Sequence, residues 1–342
     1  MTTEAQRIRV AVVGCGAFGR NHARVYRQLA QENRSVELVG VVDKDATRAQ
    51  VVAKEFATQA FASAGDLRGK IDAASVAVPT VHHLEVARQL MDAGAAVLIE
   101  KPLATSLAEA DELIAITART QRIAQCGHLE RFNPAVIATV PLVTQPMFFE
   151  VHRLSVFTPR SLDVDVVMDL MIHDLDVVLS LVKSPVREIR AVGLPVISHK
   201  VDIANVRVEF ETGCVANFTA SRVSTEKVRK LRFFQPHQYI SIDYGRQDVI
   251  SIRVDERAAA ALMRGEVTAN SLGPAPGITL EKPKVESREP LRAEIESFIT
   301  AVRNRRPPEV SLQDGRDALA LALKINEQIE EHHQRAGLGK LN

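Results

Sequence analysis

Cysteine is scarce in this chain, which has three cysteines in 342 residues. Cys15, Cys126 and Cys214 lie far apart, and no two of them form a CxxC pair. A disulfide framework or a thiolate metal site needs more cysteines at closer spacing. The pattern argues against both kinds of site, and we expect a protein of the reducing cytoplasm.

An excess of charge of one sign and a long apolar run are also missing. Lys and Arg number 43 and Asp and Glu number 42, so the formal net charge is +1. This balance offers no overall attraction to nucleic acid or to an anionic membrane. No window approaches the ~18 to 20 apolar residues that a membrane span needs, and we expect neither a signal peptide nor an anchor.

The composition of the chain, with 46% apolar and 25% charged residues, is typical of a globular protein. At roughly 150 residues per domain the length predicts about two domains. Up to Cys126, short β-branched runs alternate with longer amphipathic segments, which predicts an α/β domain with a doubly wound parallel sheet. The predicted strands are 8–14, 36–43, 73–79, 95–100 and 122–127, and the predicted helices are 21–31, 47–56, 83–93 and 106–120.

After Pro134 the predicted strands follow one another with few helices between them: 147–154, 205–211, 214–222, 230–235, 239–243 and 249–254. Apolar and polar residues alternate around Val206, Val208 and Phe210. This pattern predicts a C-terminal α+β domain with a large open, mostly antiparallel sheet. One helix is predicted over 166–181, an extended and partly mobile Pro/Gly-rich connection over 258–290, and helices after Pro290 and Ser311. The expected domains are 1–126, 127–290, and C-terminal helices over 291–342 that pack back on the chain.

The sequence GCGAFG at residues 14–19 follows the first predicted strand and opens the first helix. There the first glycine permits a tight turn, the second lets backbone N–H groups approach a pyrophosphate, and the third allows close packing of helix on strand. An ordinary glycine turn is the alternative. Asp43 ends the second strand, where an acid accepts hydrogen bonds from the adenosine ribose; a solvated strand end is the alternative there.

Together these two features predict a Rossmann domain that binds NAD. A carboxylate at position 43 repels a 2′-phosphate and so favours NAD over NADP, although Lys44 and Arg48 nearby weaken that preference. The cofactor residues predicted from these features are Gly14, Gly16, Ala17, Phe18, Gly19 and Asp43.

Two further strand ends carry polar residues. Glu100-Lys101-Pro102 ends the fourth predicted strand, and Pro79-Thr80 ends the third, followed by His82 and His83. Ligands collect at the carboxyl edge of a parallel sheet, so Lys101 is a candidate for the nicotinamide end. A solvated surface lysine, and polar residues that merely begin a helix, are the alternatives. The histidine pairs at 82–83 and 332–333 lack converging ligands, and we expect no metal.

Asp169 and His173 lie four residues apart on the predicted 166–181 helix, hence on one face. A histidine suits proton transfer near neutral pH, and a neighbouring carboxylate fixes its tautomer or raises its pKa. A buried polar pair without a catalytic role is the alternative.

GCGAFG, VAVPTVHH (76–83), EKP (100–102) and DLMIHDLD (169–176) together resemble the Gfo/Idh/MocA family of nicotinamide-dependent sugar oxidoreductases. The resemblance implies that Lys101 lies beside nicotinamide and substrate, that Asp169 and His173 form an acid/base pair, and that His83 lies near the cofactor, as do Pro79, Thr80 and Glu100. It also implies a cis Lys101-Pro102 peptide. The chain departs from the family pattern at 163–166, where Asp163-Val164-Asp165-Val166 replaces glycines.

Segments 127–136, 150–167 and 221–236 are similar to family members that act in the lipid A diamino-sugar route. The resemblance implies NAD-dependent oxidation of a sugar secondary alcohol, first of all C3 of UDP-N-acetylglucosamine, to a 3-keto nucleotide sugar that an aminotransferase consumes. It also implies a homodimer or homotetramer. A nucleotide diphosphate needs cations and polar groups to bind it. The expected substrate residues are Arg131, Asn133, Arg153, Arg160 and His173. The alternative is that most of the cations merely lie on solvent-exposed faces of strands.

Three other activities stay open at this point. They are oxidation of a free sugar or polyol such as inositol, NAD-dependent glycoside hydrolysis, and a regulatory role in which NAD binds without catalysis.

Overall fold

A computed structural model describes residues 7–32, 36–158, 164–255, 260, 264 and 278–338. The chain divides into two compact units: unit 1 is Met1–Phe132 with Glu289–Ala320, and unit 2 is Asn133–Arg288 with Leu321–Asn342. The boundary after Phe132 lies a few residues beyond the expected one after Cys126. The C-terminal helices are shared between the units, because helix α8 (Leu312–Arg335) passes from one to the other.

Unit 1 contains a six-stranded parallel sheet in the order β3-β2-β1-β4-β5-β6. This is the strand order of a doubly wound Rossmann domain, with the reversal between β1 and β4. The strands are β1 (Ile8–Val13), β2 (Val36–Val42), β3 (Gln59–Phe61), β4 (Ala73–Val76), β5 (Ala96–Glu100) and β6 (Ala124–Gly127). The helices are α1 (Ala17–Glu32), α2 (Ala46–Glu55), α3 (His83–Asp92), α4 (Leu107–Thr120) and α7 (Pro290–Asn304).

The predicted parallel sheet is therefore confirmed, with one strand missed. Strand β3 has only three residues, too few for a periodic pattern to show. Helix starts follow local chemistry: Asp45 accepts the Arg48 N–H at the start of α2, and Ser106 accepts the Glu109 N–H at the start of α4.

Helix α7 belongs to the Rossmann core although it lies far along the chain. Ile295, Phe298 and Ile299 are buried in one cluster with Val10 of β1 and Tyr26 of α1. Phe298 is fully buried. Since a buried aromatic side chain removes a large apolar area from water, the C-terminal segment contributes directly to the stability of unit 1.

Unit 2 contains an eight-stranded sheet in the order β14-β13-β12-β11-β7-β10-β9-β8. All neighbouring pairs are antiparallel except β7 and β10, so the mostly antiparallel sheet is confirmed. The strands are β7 (Phe148–Val156), β8 (Val186–Leu194), β9 (Ile203–Phe210), β10 (Val215–Ser224), β11 (Val228–Gln235), β12 (Gln238–Asp243), β13 (Asp248–Val254) and β14 (Ile278–Glu281). Helix α5 (Pro134–Thr139) precedes the sheet.

Two edge strands were not predicted. Strand β8 buries only Gly193 of its nine residues and carries Glu188 and Arg190, so it lacks a clear apolar alternation. Strand β14 lies within the predicted 258–290 connection, which is therefore wrong from Ile278 to Glu281. The rest of that connection up to Gly277 lies outside the described residues, apart from Ala260 and Arg264.

The predicted 166–181 helix has two parts. A π-helical turn covers Val167–Met171, in which the Ile172 N–H donates to the Val167 carbonyl five residues earlier, and α6 (Ile172–Val182) continues from it. Asp165 caps this start: its Oδ1 accepts the N–H groups of Val167 and Met168, both at 2.9 Å.

The segment before this helix is fixed by two more contacts within unit 2. Asn326 of α8 donates from Nδ2 to Asp165 Oδ2 at 3.1 Å, and Arg222 of β10 donates to the Val164 carbonyl at 2.5 Å. Asp165, which lies in the segment where the chain departs from the family pattern, therefore acts as a helix cap. Asp163 lies outside the described residues.

An ion pair is buried under the sheet of unit 2. Arg153 of β7 donates from Nε to Asp174 Oδ2 at 2.6 Å and from Nη2 to Asp174 Oδ1 at 2.9 Å. The two side chains are 4% and 2% exposed, and the guanidinium lies 5.3 Å from the centre of the Tyr244 ring. This two-point contact joins α6 to the sheet.

Within the part of the chain that the structure describes, no helix combines the length and the apolar character needed to cross a bilayer.

Replacing Phe298 with alanine removes the apolar contact between α7 and the Rossmann core. We expect a loss of about 3–5 kcal/mol in the free energy of unfolding, since the site is fully buried. Urea denaturation followed by far-UV circular dichroism measures this. Thr300→Ala, an exposed position on the same helix, is the matched control and should change the stability little; equal stability of both variants would contradict the packing described.

Replacing Arg153 with alanine leaves the Asp174 carboxylate buried without its bidentate donor, which costs about 3–5 kcal/mol. Arg153→Lys should recover only part of the loss, because an ammonium cannot make the two-point contact. The control is Arg190→Ala, whose partner Glu188 and guanidinium are both exposed; such pairs contribute about 0–1 kcal/mol. Hydrogen exchange of β7 and α6 reports whether the loss is local to unit 2, and unchanged protection in R153A would count against this role.

Candidate functional site

The turn between β1 and α1 is built around two glycines that admit no side chain. Gly14 has φ +98°, and a Cβ on it would lie 2.3 Å from the Ala77 carbonyl oxygen. A Cβ on Gly19 would lie 1.7 Å from the Gly14 carbonyl oxygen. The first and third glycines therefore bring β1, β4 and α1 into close contact, as the motif predicts.

Gly16 differs from both, because among the described residues no atom other than those of its chain neighbours lies within 4 Å of the position where its Cβ would be. The residue is exposed, and α1 begins directly after it with no acidic residue in its first turn. Unpaired N–H groups and the positive end of the helix dipole thus face open space. This arrangement fits a pyrophosphate.

Asp43 is buried at the carboxyl end of β2 with 9% of its surface exposed. Its Oδ2 accepts the Cys15 N–H at 2.7 Å and its Oδ1 accepts the Asp45 N–H at 2.9 Å. Arg48 Nη1 lies 3.6 Å from Oδ2. The carboxylate therefore holds the glycine turn against β2, and the alternative of a solvated strand end is wrong.

Burial raises the pKa of the Cys15 thiol to about 12, with the Asp43 charge as a second cause. A thiol in this state is neither a nucleophile nor a metal ligand near neutral pH. The cysteine inside the glycine motif is structural.

A cavity of about 480 Å³ opens at the carboxyl edge of the sheet in unit 1. Its volume lies within the range of cofactor sites. Of the predicted cofactor residues it is lined by Gly14, Gly16, Ala17, Phe18, Asp43 and Pro79, together with the cations Lys44 and Arg48. Among the described residues, Gly19, Thr80, His83, Glu100 and Lys101 lie outside this lining.

The two histidines after β4 have different environments. His83 is 1% exposed, with Nδ1 3.2 Å from the Leu103 carbonyl oxygen and Nε2 3.0 Å from the Val78 carbonyl oxygen, and burial lowers its pKa. His82 is exposed and lines the cavity. His83 thus connects the start of α3 to two loops, and its contact with a cofactor stays a prediction.

Glu100 and Lys101 lie at the end of β5, and the expected cis peptide between Lys101 and Pro102 is confirmed. Glu100 is 6% exposed and its Oε1 lies 2.7 Å from His22 Nε2, whereas Lys101 is half-buried. Burial alone would raise the pKa of Glu100. The hydrogen bond with His22 and the charges of His22, Lys101 and His83 hold it below its ordinary value.

His128 is a further buried group near Lys101 and follows β6. Its pKa falls to about 3, first because it is fully buried and then because of the positive charges of Lys101 and Arg131. A neutral imidazole therefore lies in the surroundings of the Lys101 ammonium. No spacing in the sequence pointed to this residue.

In unit 2, Asp169 lies in the π-helical turn and His173 in the first turn of α6. His173 is 9% exposed and Asp169 is half-buried. A π-helical turn inside a helix often marks a functional site. Because Lys101 belongs to unit 1 and the pair to unit 2, their joint action stays a prediction.

The predicted substrate residues are used in different ways. Asn133 is 2% exposed; its Oδ1 accepts the Ala135 N–H and its Nδ2 donates to the Tyr244 carbonyl, both at 3.1 Å. Arg153 forms the ion pair with Asp174. These contacts favour structural roles for both residues. Arg131 is half-buried, and Arg160 lies outside the described residues.

Among the described residues, the ligand atoms of His22, Glu100 and Glu294 lie within 4.8 Å of one another, as in a metal site. Both ring nitrogens of His22 already have partners in the protein, Ser75 Oγ and Glu100 Oε1. We therefore interpret the cluster as a hydrogen-bond network. Sequence reasoning missed His22, although its four-residue spacing to Tyr26 on α1 is a visible signal.

Comparisons with known proteins agree with this geometry. Residues 8–128 match the family described as "Oxidoreductase family, NAD-binding Rossmann fold", and residues 146–237 match the "GFO/IDH/MocA C-terminal domain". The chain is 37% identical over 329 residues to UDP-N-acetylglucosamine 3-dehydrogenase of Acidithiobacillus ferrooxidans, which covers 96% of this chain and 99% of that enzyme. The solved structure of that enzyme superposes with a TM-score of 0.85 at 35% identity, covering 95% and 98% of the two chains.

More distant relatives share the architecture. Inositol 2-dehydrogenase 1 of Saccharopolyspora erythraea is 26% identical over 331 residues, 92% of each chain. An oxidoreductase from Agrobacterium radiobacter, solved in complex with NAD+, L-tartaric acid and magnesium, has a TM-score of 0.79 at 15% identity over 95% and 96% of the chains, a likeness of fold alone. With both of its domains matched and its glycine turn shaped for a dinucleotide, the chain belongs to the Gfo/Idh/MocA family of NAD-binding oxidoreductases.

Proposed function

We propose that the protein oxidises C3 of UDP-N-acetylglucosamine and releases the 3-keto nucleotide sugar. The observation that carries this proposal is the 37% identity to the Acidithiobacillus ferrooxidans enzyme, which extends over 96% of the chain and so includes residues of both units. Inositol 2-dehydrogenase 1 of Saccharopolyspora erythraea is less alike, at 26% identity over a match of comparable length.

The predicted cofactor residues of unit 1 bind NAD. Gly16 and the first N–H groups of α1 would hold the pyrophosphate, because a side chain at position 16 would fill the open space there. Asp43 keeps this turn in place and supplies the carboxylate edge of the cavity. NAD, when bound, takes up the hydride that leaves the sugar carbon.

The reaction also releases a proton, because an alcohol becomes a ketone when its C–H leaves as hydride and its O–H is ionised. His173 accepts this proton, and Asp169 orients the imidazole or shares the proton with it. Lys101 donates a hydrogen bond to the oxygen as negative charge develops on it. The cations Arg131 and Arg160 recognise the diphosphate, since Arg153 already pairs with Asp174.

The proposal extends to the cellular setting. A 3-keto sugar is a substrate for amine transfer, so an aminotransferase of the lipid A diamino-sugar route consumes the product in the cytoplasm. The protein acts as a homodimer or homotetramer. In support, Phe234 of β11 and Val156 of β7 are 39% and 52% exposed on the sheet of unit 2, and exposed apolar area on a sheet is commonly covered by a second subunit.

A second candidate activity is oxidation of a free polyol. The likeness to inositol 2-dehydrogenase over 92% of the chain favours it.

A substrate panel separates these activities. We expect NAD reduction, followed by absorbance of the reduced cofactor, with UDP-N-acetylglucosamine in the presence of an amine-transfer trap that removes the ketone. Free N-acetylglucosamine and inositol should give no signal, because they lack the diphosphate that Arg131 and Arg160 bind. NAD reduction with inositol but with no UDP-sugar would instead establish the second candidate.

Lys101→Ala and His173→Ala should each lower kcat about 10²-fold or more, since each removes a group that acts on the reacting hydroxyl. The affinity for NAD, measured by calorimetry, should stay nearly unchanged in both variants. The exposed residues Lys54 and His199 supply matched controls, and Lys54→Ala and His199→Ala should keep full turnover. Near-normal kcat in K101A and H173A would reject the assigned roles.

A further inference from the structure

Asp165 holds the start of the helix that carries the proposed acid/base pair. Its side-chain Oδ1 accepts the Val167 and Met168 N–H groups, both at 2.9 Å, and its backbone carbonyl accepts the Asp169 N–H at 3.0 Å. Three successive N–H groups therefore end on one residue, which satisfies most of the donors that the first turn of a helix leaves unpaired. The hydrogen-bond register up to Asp169 is thus fixed by Asp165.

Asp165 is in turn held by other elements of unit 2. Asn326 of α8 donates from Nδ2 to the second carboxylate oxygen, Oδ2, at 3.1 Å. On either side of Asp165, the Val164 carbonyl accepts from the Arg222 guanidinium of β10, and the Val166 N–H donates at 2.9 Å to a carbonyl in the segment just before β9. The contact from Asn326 differs from these two because it is made with the capping carboxylate itself.

The other end of the same segment is anchored by Asp174, whose carboxylate takes the two-point contact from Arg153 of β7. Between the two anchors the hydrogen-bond register changes. The Asp169 N–H bonds to a carbonyl four residues back, whereas the Ile172 N–H bonds five residues back. One residue more than in an α-helical turn is therefore accommodated there. Because both ends are held, the wide turn has no free end at which it could relax into a regular α-helix.

The wide turn decides how Asp169 and His173 are rotated relative to each other. In a regular α-helix two residues four apart are rotated by about 40°, since each residue turns about 100°. A π-helical turn contains more residues, so a step of four no longer passes a full turn by that amount. The step from Asp169 to His173 begins inside the π-helical turn and ends in the first turn of α6. Its rotation therefore differs from that of a regular helix.

We propose that Asn326 is a positioning residue for the acid/base pair. By binding Oδ2 of Asp165 it keeps Oδ1 on the first N–H groups of the helix, keeps the wide turn in place and so sets the rotation between Asp169 and His173. The role of that pair rests on the proposed function, whereas the link from Asn326 through Asp165 to the π-helical turn does not.

Loss of the Asn326 amide has a specific consequence. The Asp165 carboxylate loses the donor that fixes one of its oxygens, so it holds the first N–H groups of the helix less firmly. The turn then opens more often and can return to the narrower α-helical register, which rotates Asp169 away from its position relative to His173. The residues that line the NAD cavity all belong to unit 1. The expected signature is a fall in kcat with KM for NAD and sugar nearly unchanged.

The link to the turn is tested without substrate, by hydrogen exchange of the full-length protein followed by peptide mass spectrometry. In Asn326→Ala we expect about tenfold faster exchange in peptides that cover 166–173, because a hydrogen bond to a charged group is lost. Asn326→Gln keeps an amide donor and should recover part of the protection. Gln334→Ala is the matched control, since it removes an amide of the same helix whose bond to Glu330 stays within α8, and its exchange should match the wild type.

The positioning role is tested by a double-mutant cycle on kcat. Asn326→Ala should lower kcat about 10-fold, since small displacements of reacting groups are costly, and N326Q should restore part of it. Asp165→Ser keeps an oxygen that caps the helix but removes the oxygen that Asn326 binds. Because Asn326 acts through Asp165, kcat of the N326A/D165S double variant should equal that of D165S alone. Losses that simply multiply would overturn the proposal.

The proposed function fails or stands separately from this inference. If the wild type reduces no NAD with UDP-sugars but exchange over 166–173 rises in N326A, the proposed substrate is wrong and the link to the turn holds. If the wild type is active and N326A keeps wild-type exchange, the link is wrong and the function holds. Faster exchange in N326A with an unchanged kcat also overturns the proposal, because the contact then stabilises the turn without positioning the pair.

Discussion

A buried carboxylate needs hydrogen-bond donors, because its desolvation is costly, and in this protein that constraint fixes the segments that carry function. Asp43 accepts the Cys15 and Asp45 N–H groups and so defines the glycine turn. The partly buried Asp165 accepts two backbone N–H groups at the start of the π-helical turn and the Asn326 amide of α8. Asp174 takes both guanidinium donors of Arg153. Each of these contacts fixes the orientation of the backbone segment that carries it.

Cofactor binding and proton transfer, the two parts of the proposed chemistry, depend on different kinds of groups. The cofactor end depends on backbone groups and on the open space beside Gly16, so its specificity comes from the shape of a turn. The acid and base end depends on side-chain ionisation. Glu100 and His128 are both buried near Lys101, one held ionised by its partners and one held neutral by burial. Their environments therefore control the charge around the lysine.

Much of the fold was predictable because local rules and tertiary packing agree. The central strands of unit 1 are buried on both faces over most of their length and so consist largely of apolar or small residues. The edge strands β3 and β8 were missed because β3 has only three residues and β8 buries only one of its nine, so neither shows an apolar alternation. The π-helical turn at Asp169 was also missed, since an apolar stripe does not report which carbonyl each N–H selects.

Taken alone, the amino-acid sequence determined the doubly wound domain, the glycine turn with its acidic partner, and the polar residues at the strand ends, because each depends on short-range spacing. Only the tertiary structure decided how those polar residues are used. It placed His82 in the cavity lining and buried His83, gave Asn133 and Arg153 structural contacts, and joined His22 to Glu100 across 78 residues of chain. Hydrogen-bond partners distant in the chain are selected by burial and geometry, which no local pattern encodes.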